Sequence, residues 1–282
     1  MAGNNPVFGK IDKELREQSY AGFGQPAQQQ PGYPSAYPAP VDADQLETMW
    51  QRPSAGPLQT GRVTFDDVVM KTLSLFAVLL LTAAATWVVT SAQPQLVTPI
   101  WLVGMFGGLV LGLVIAFMKK VSVPLILGYA ILEGAFVGAF SRVMEAWYPG
   151  IVMTAVVATL ATFAGMFLGY RMGFIKVTSR SRRIFGMALM GYLLFSLANV
   201  VALMFGWTHG WGFGGSGMLG IAISVLGVGL ASYSLAVDFD SVEQGVRMGA
   251  PERYSWLFAH GIIVSLVWLY VEILRLLARM RD

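Results

Sequence analysis

The feature of this sequence that most constrains its fold is a series of apolar runs, each close to the length that crosses a bilayer. About 20 apolar residues in a helix span the hydrocarbon core, and lipid offers no hydrogen-bond partner to an open backbone, so every run is expected to be helical. The expected spans are residues 72–92, 99–118, 123–141, 150–170, 184–205, 217–237 and 254–277. The sequence therefore predicts an all-α fold, a polytopic membrane helical bundle of about seven transmembrane helices.

Composition supports a membrane protein and excludes several kinds of site. Hydrophobic residues make up 55% of the chain and charged residues 12%, whereas a soluble domain carries about 25% charged residues. The chain has no cysteine, which excludes disulfides and thiolate metal sites. It has no HExxH or GxSxG motif, and no link between spans is long enough for a soluble catalytic domain. We therefore expect no enzyme activity, no cofactor and no nucleic-acid partner.

The chain divides into a tail and a transmembrane domain. Residues 25–40 are rich in Pro, Gln, Ala and Tyr, a composition that cannot bury enough apolar area to offset the entropy of ordering. We expect residues 1–61 to be a disordered, cytoplasmic, Pro/Gln-rich tail and residues 62–282 to be the seven-span domain. A tail that docks to a Pro-recognising partner is the functional alternative.

The distribution of basic residues predicts the side of the membrane that each loop occupies. Lys119 and Lys120 follow the second span, and residues 171–183 carry five Lys or Arg, whereas links 93–98 and 206–216 carry none. The positive-inside rule then places the basic loops and the N-terminus in the cytoplasm, with the protein in the plasma membrane. The arginines that close the chain disagree, because seven full spans would put them outside. Either the seventh segment crosses against the rule or one segment is re-entrant.

Ionisable residues inside apolar runs are costly, so each is a candidate for function. The candidates are Glu133, Asp238, Asp240, His260, Glu272 and Arg275. Asp238 and Glu272 are the expected pH-sensing and ion-gating pair, and the other four are expected to line or support a pore. Glu133 either pairs with Arg142 or lines a cavity. No second His or Cys lies near His260, so we expect it to pack rather than to bind a metal.

Asp238 and Glu272 can meet only if two helices adjust their register. A Gly-Ala-Pro turn at residues 249–251 makes the last two spans an antiparallel hairpin. At ~1.5 Å per residue, Asp238 lies about 18 Å and Glu272 about 30 Å from the turn, a mismatch of roughly two helical turns. Helix tilt could take up part of this mismatch. The alternative is that Asp238 is an interfacial residue at a helix end and that Arg275 neutralises Glu272.

A meeting of the two carboxyl groups would make this site sensitive to pH. Like charges in a low-dielectric interior cannot both ionise cheaply, so the pair would share one proton near neutral pH. Low pH would keep the pair neutral and closed. High pH would leave two anions that repel each other or recruit a cation such as Ca²⁺, which prefers carboxylate oxygen.

Two stretches near the end of the chain resemble a known family of membrane proteins. Residues 234–243 read Ser-Leu-Ala-Val-Asp-Phe-Asp-Ser-Val-Glu, and residues 269–277 read Leu-Tyr-Val-Glu-Ile-Leu-Arg-Leu-Leu. With the seven spans, these stretches are similar to the Bax-inhibitor/YccA family, also called the transmembrane BAX-inhibitor-motif family. The Asn-Pro-Val-Phe opening at residues 5–8 and the turn at residues 249–256 resemble an actinobacterial branch of that family.

The resemblance implies both a fold and a function. It implies a bundle with the last helix at its centre and, as in members that act as pH-sensitive calcium leak channels, a pH sensor made of two acids on the sixth and seventh helices. By motif these acids are Asp238 and Glu272, the second being Glu where the family has Asp. We therefore expect a calcium or other cation leak channel or transporter gated by this pair. The alternative is a non-transporting regulator that binds a membrane protease or another membrane partner.

Overall fold

The computed structural model describes residues 61–282, and this part of the chain forms seven long helices and no strand. The helices are α1 (Phe65–Ala92), α2 (Val97–Phe117), α3 (Val123–Trp147), α4 (Ile151–Arg171), α5 (Ser179–Met204), α6 (Met218–Arg247) and α7 (Tyr254–Arg281). Each helix is long and apolar enough to cross a membrane, so the predicted all-α membrane bundle is confirmed. The tail expected at residues 1–61 lies outside the described residues, apart from Gly61.

Some helices extend beyond the apolar runs that predict them. Helix α6 continues to Arg247, past the expected end at residue 237, and α5 begins at Ser179 rather than at residue 184. The apolar pattern ends where the hydrocarbon core ends, but a helix satisfies its own backbone and can continue into the headgroup region. The extension of α6 puts Asp238 inside a helix instead of at its end.

Helix α7 is the central helix of the bundle. In its most apolar stretch 72% of the residues are buried, whereas the corresponding share is at most 39% for the other helices. Helix α7 packs against α1, α3, α4 and α6, which confirms the central position that the family resemblance implied. Because α7 is surrounded by protein, the polar side chains that it carries need partners on other helices.

Helices α6 and α7 form an antiparallel hairpin along their full length. Near the connecting turn, Gly245 leaves room for an aromatic ring of α7, and at the other end the buried Arg279 donates hydrogen bonds to the Gly220 carbonyl and the Ser224 hydroxyl. Gly249 in the turn has φ +66°, a left-handed value that favours glycine. Helix α7 is therefore one continuous helix along the whole hairpin, and its C-terminal arginines lie at the end of the bundle opposite the basic loops.

Helices α1 and α3 approach each other closely at Gly134 and Gly138. A Cβ on Gly134 would lie 2.5 Å from the carbonyl oxygen of Leu79, and a Cβ on Gly138 would overlap the carbonyl oxygen of Ala83 in the same way. Small residues at this spacing allow two helix backbones to pack closely. Gly134 and Gly138 form a GxxxG motif, and in this structure the motif packs α3 closely against α1.

Substitution of Gly134 by alanine is expected to destabilise the protein by about 1–3 kcal/mol, because the added methyl group overlaps a backbone carbonyl of α1. Thermal unfolding in detergent would measure the change as a lower midpoint. Gly165→Ala is the matched control, since no atom lies within 4 Å of a Cβ at that position and alanine favours helix. Equal midpoints for the two variants would contradict the close packing of α1 on α3.

Candidate functional site

Asp238 lies in α6 and faces α7 inside the bundle. The Ser265 hydroxyl donates a 2.5 Å hydrogen bond to Asp238 Oδ2, and a Cβ on Gly261 would lie 3.4 Å from Asp238 Oδ1. Within residues 61–282 no Lys, Arg or His forms an ion pair with this carboxylate. The interpretation of Asp238 as a helix-end residue is wrong, because α6 continues beyond it to Arg247.

Glu272 lies in α7 and is almost completely buried, with 3% of its surface exposed. One carboxylate oxygen, Oε1, accepts hydrogen bonds from the Tyr192 hydroxyl (2.7 Å), Trp268 Nε1 (3.2 Å) and Arg275 Nη1 (3.4 Å). The other oxygen, Oε2, has no hydrogen-bond partner in the described part of the chain. Arg275 therefore supplies a counter-charge to Glu272. The sequence offered this neutralisation as part of the alternative to a direct pair with Asp238.

The structure does not bring Asp238 and Glu272 together. Asp238 lies opposite Gly261 and Ser265, whereas Glu272 lies opposite Gly227, where a Cβ would be 2.7 Å from Oε2. Ser265 precedes Glu272 by seven residues and Gly227 precedes Asp238 by eleven, which corresponds to about 10 and 16 Å along the helix axes. The prediction that the two carboxyl groups contact each other directly is therefore wrong. The antiparallel register keeps the two-turn mismatch that the spacing implied. We call this α6–α7 interface, from Gly227 to Asp238 and from Gly261 to Glu272, the seam.

Glu133 and His260 belong to a second polar cluster, between α2, α3 and α7. Glu133 lies one helical turn after Tyr129 on α3, and a Cβ on Gly108 would lie 2.9 Å from its Oε2. The Tyr129 ring packs edge-on against the His260 imidazole, with 4.5 Å between the ring centroids. Of the two alternatives for Glu133, the pair with Arg142 does not form. His260 packs against an aromatic ring, as the sequence led us to expect.

Asp240 lies at the basic end of α6 and outside the seam. It forms an ion pair with Arg182 and accepts hydrogen bonds from Gln244 Nε2 (2.6 Å) and the Tyr170 hydroxyl (3.4 Å). The Tyr170 hydroxyl also donates a 2.5 Å hydrogen bond to Glu243. Asp240 therefore ties α4 and α5 to α6. No group of three His, Asp or Glu residues able to hold a metal ion occurs in residues 61–282.

Three donors to the seam carboxylates were missed by sequence reasoning. Ser265 and Trp268 precede Glu272 by seven and four residues, a helical spacing that places all three on one face of α7 and could have identified them. Tyr192 comes from α5, eighty residues before Glu272. Nothing in the spacing of the chain points to that contact.

The match to a known protein family covers all seven helices and the seam. The model of the family described as Bax inhibitor 1 like matches residues 5–282, which include all seven helices and the seam. No curated protein matches the chain. The family match agrees with the resemblance carried by residues 234–243 and 269–277.

Removal of the Tyr192 hydroxyl tests how strongly the fold depends on the Glu272 site. Tyr192→Phe deprives a buried carboxylate of its shortest hydrogen bond, so we expect the free energy of unfolding to fall by about 1–3 kcal/mol. Tyr148→Phe, which removes a hydroxyl bonded to the exposed Asp282, is the control with a smaller expected loss. In a Glu272→Gln background the effect of Tyr192→Phe should shrink, and strict additivity in this double-mutant cycle would contradict the contact.

Proposed function

This chain belongs to the Bax inhibitor 1 like family, and on that premise we propose that it is a cation leak channel or transporter, with Ca²⁺ as the main ion. Its seven apolar helices make it a multi-pass integral membrane protein. The observation that carries the proposal is the seam, in which Asp238 and Glu272 occupy two levels between α6 and α7. Carboxylates inside membrane helices are rare and costly, and they typically mark ion or proton pathways.

Each carboxylate has hydroxyl oxygen beside it, which suits a hard cation. Ser265 lies beside Asp238, and Tyr192 lies beside Glu272. Ca²⁺ binds carboxylate, hydroxyl, carbonyl and water oxygens in flexible sets. Two weak sites at different depths suit conduction, because an ion must be able to leave each site as readily as it enters.

Arg279 would close the seam at the end opposite the basic loops. Its buried guanidinium donates hydrogen bonds to the Gly220 carbonyl and to the Ser224 hydroxyl (2.9 Å), and it lies 5.4 Å from the centroid of the Trp211 ring. A fixed positive charge at this position repels a cation. The described conformation therefore corresponds to a closed state in this proposal, and opening requires α7 to move relative to α6.

Asp238 and Glu272 would respond to pH separately instead of sharing one proton. Glu272 has Arg275 as a counter-charge, whereas Asp238 has the Ser265 hydroxyl and no ion pair among the described residues. A protonated Asp238 is neutral and stays at little cost in the apolar seam. An ionised Asp238 leaves a charge without a counter-ion, so higher pH favours entry of a cation and separation of α6 from α7.

The leak of Ca²⁺ from proteoliposomes across a range of pH tests this gating. We expect the wild-type leak to increase with pH, and Asp238→Asn to reduce the leak at high pH by roughly tenfold and to remove most of its pH dependence. Glu272→Gln should lower the leak but keep the pH dependence, because Glu272 already has a counter-charge. Asp66→Asn, at an exposed acid near the start of α1, is the matched control.

Two results of this assay would contradict the proposed gating. A pH profile of Asp238→Asn that coincides with that of Asp66→Asn would show that Asp238 does not gate the leak. An unchanged flux in both seam variants would remove the seam from the conduction path. Elution of every variant as a single species in size-exclusion chromatography confirms that the comparison is between folded proteins.

The basic loops and the N-terminus are proposed to face the cytoplasm of a cell with this protein in its plasma membrane. The five basic residues within 171–183 support this orientation. Of the arginines at the opposite end, Arg279 does not oppose it, because its charge is held by protein groups inside the bundle, whereas the exposed Arg281 counts against it. A buried arginine of this kind is not a residue that the positive-inside rule counts.

The absence of cysteine from the chain makes this orientation directly testable. A membrane-impermeant maleimide applied to intact cells is expected to label His209→Cys, in the link between α5 and α6, and to leave Lys176→Cys, in the link between α4 and α5, unlabelled. Permeabilised cells should show labelling of both variants. Labelling of Lys176→Cys alone in intact cells would reverse the proposed orientation.

A non-transporting regulator of a membrane partner is the second candidate, and the exposure of α5 favours it. Helix α5 packs chiefly on α6, and its Leu193, Leu194 and Leu197 are more than half exposed. A membrane protease or another membrane protein could bind this apolar face in place of lipid. This candidate predicts no cation flux at any pH in the same proteoliposomes, which separates it from a channel.

A further inference from the structure

A cavity of about 880 Å³ opens at the end of the bundle opposite the basic loops. It lies between the last turn of α1, the first turns of α2 and the C-terminal end of α3, and Thr90, Trp101, Arg142 and Trp211 line it. Its position near the helix ends corresponds to the boundary between headgroups and hydrocarbon. None of its lining residues belongs to the seam.

The cavity contains hydrogen-bond donors without protein acceptors. Arg142 forms no ion pair within residues 61–282, and the buried Trp101 Nε1 has no hydrogen-bond partner there. Asp282 also lines the cavity, but its carboxylate already accepts hydrogen bonds from the Tyr148 hydroxyl (3.3 Å) and from Trp211 Nε1 (2.9 Å). A buried donor without an acceptor is costly, so the cavity suits a ligand that brings an anionic oxygen.

Tyr148 holds its proton at this end of the bundle. Burial, and then the neighbouring Asp282, raise the pKa of the Tyr148 phenol above its usual value of 10.0. The phenol therefore remains a donor to Asp282 at neutral pH. Arg142 is the basic residue that lines the cavity, and it forms no ion pair within residues 61–282.

A second, apolar groove of about 350 Å³ lies next to this cavity, toward the middle of the bundle. Trp87 of the groove and Thr90 of the cavity lie one turn apart on α1, and Ser141 of the groove and Met144 of the cavity lie one turn apart on α3. Val156 of α4 forms part of the opposite wall. The groove thus lies about one helical turn from the cavity on one face of the bundle, between α1 and α4.

The groove offers almost no free polar group to an occupant. The Ser141 and Tyr270 hydroxyls hydrogen-bond each other at 2.7 Å, and the Thr159 hydroxyl donates to the Ala155 carbonyl at 2.7 Å. Leu80 and Leu160 on its walls are nearly half exposed. An acyl chain fits these surroundings, because it needs no hydrogen bonds and can enter sideways from the bilayer.

We propose that the cavity and the groove together bind one anionic phospholipid, with its phosphate at Arg142 and Trp101 and an acyl chain between α1 and α4. The basic cavity and the apolar groove together favour an anionic phospholipid over a free phosphate or a neutral lipid. A free phosphate would leave the apolar groove unused, and a neutral lipid would leave the guanidinium without a net counter-charge. Arg binds phosphate through two parallel N–H donors, and the Trp101 indole supplies a third.

Native mass spectrometry of the full chain in detergent tests the charge requirement. Dioleoyl phosphatidylglycerol is expected to bind roughly tenfold or more tightly than dioleoyl phosphatidylcholine, and Arg142→Gln should remove that preference, because a charge-assisted bidentate contact is lost. Arg142→Lys should retain part of it. Arg171→Gln, at an exposed arginine on the opposite end of the bundle, is the matched control. Equal binding of the two lipids, or equal effects of the two Gln variants, would overturn the proposal.

A second pair of variants tests the acyl-chain groove. Ala84 lines the groove and the next residue, Ala85, does not. Ala84→Phe is expected to weaken phosphatidylglycerol binding roughly tenfold by filling the groove, whereas Ala85→Phe should not. Soluble glycerophosphoglycerol, the headgroup without its chains, should fail to displace the bound lipid. Displacement by the headgroup at concentrations equal to that of the lipid would show a free phosphate site. Equal binding in both Phe variants would show that the groove holds no acyl chain. Either result would overturn the lipid assignment.

Discussion

The burial of most of α7 is the constraint on which the rest of the structure depends. A polar side chain on a surrounded helix cannot turn to water, so it must find its partner on a neighbouring helix. Ser265 meets Asp238 of α6, Tyr270 meets Ser141 of α3, and Glu272 meets a hydroxyl of α5. These contacts point in different directions around α7. Together they fix the rotation of the central helix and its height in the bundle.

The two seam acids are unequal in a way that matters for the proposed gating. Glu272 is held by three donors, one of them a cation, so its charge is largely compensated in the closed bundle. Asp238 relies on one neutral hydroxyl. In the proposed gating, a change of protonation at Asp238 is therefore expected to disturb the seam more than a change at Glu272. The proposed gating therefore has one sensitive acid and one anchored acid, in place of the proton that two adjacent carboxylates would share.

The two ends of the bundle differ in charge and in shape. At the basic end, ion pairs such as that of Arg182 with Asp240 tie the helices together. At the other end, aromatic residues and Arg142 line an open cavity, and Arg279, beyond the end of the seam, is covered by protein. The proposed ion path and the proposed lipid site converge on α7, whose Tyr270 contributes to the groove. Lipid in the groove would thus contact the same helix that must move during opening.

The sequence by itself determined the class of fold, the number of crossings and the rare polar residues, because span length follows from bilayer thickness and isolated charges are conspicuous in apolar runs. It also contained the two-turn offset between Asp238 and Glu272, since residue counts from a shared turn convert directly into height along a hairpin. Only the tertiary structure decided which side chains meet. A helix turns about 100° per residue, so the pairing of Tyr192 with Glu272 depends on the rotation and register of helices far apart in the chain. The Arg142 cavity arises in the same way, from the gaps that several packed helices leave.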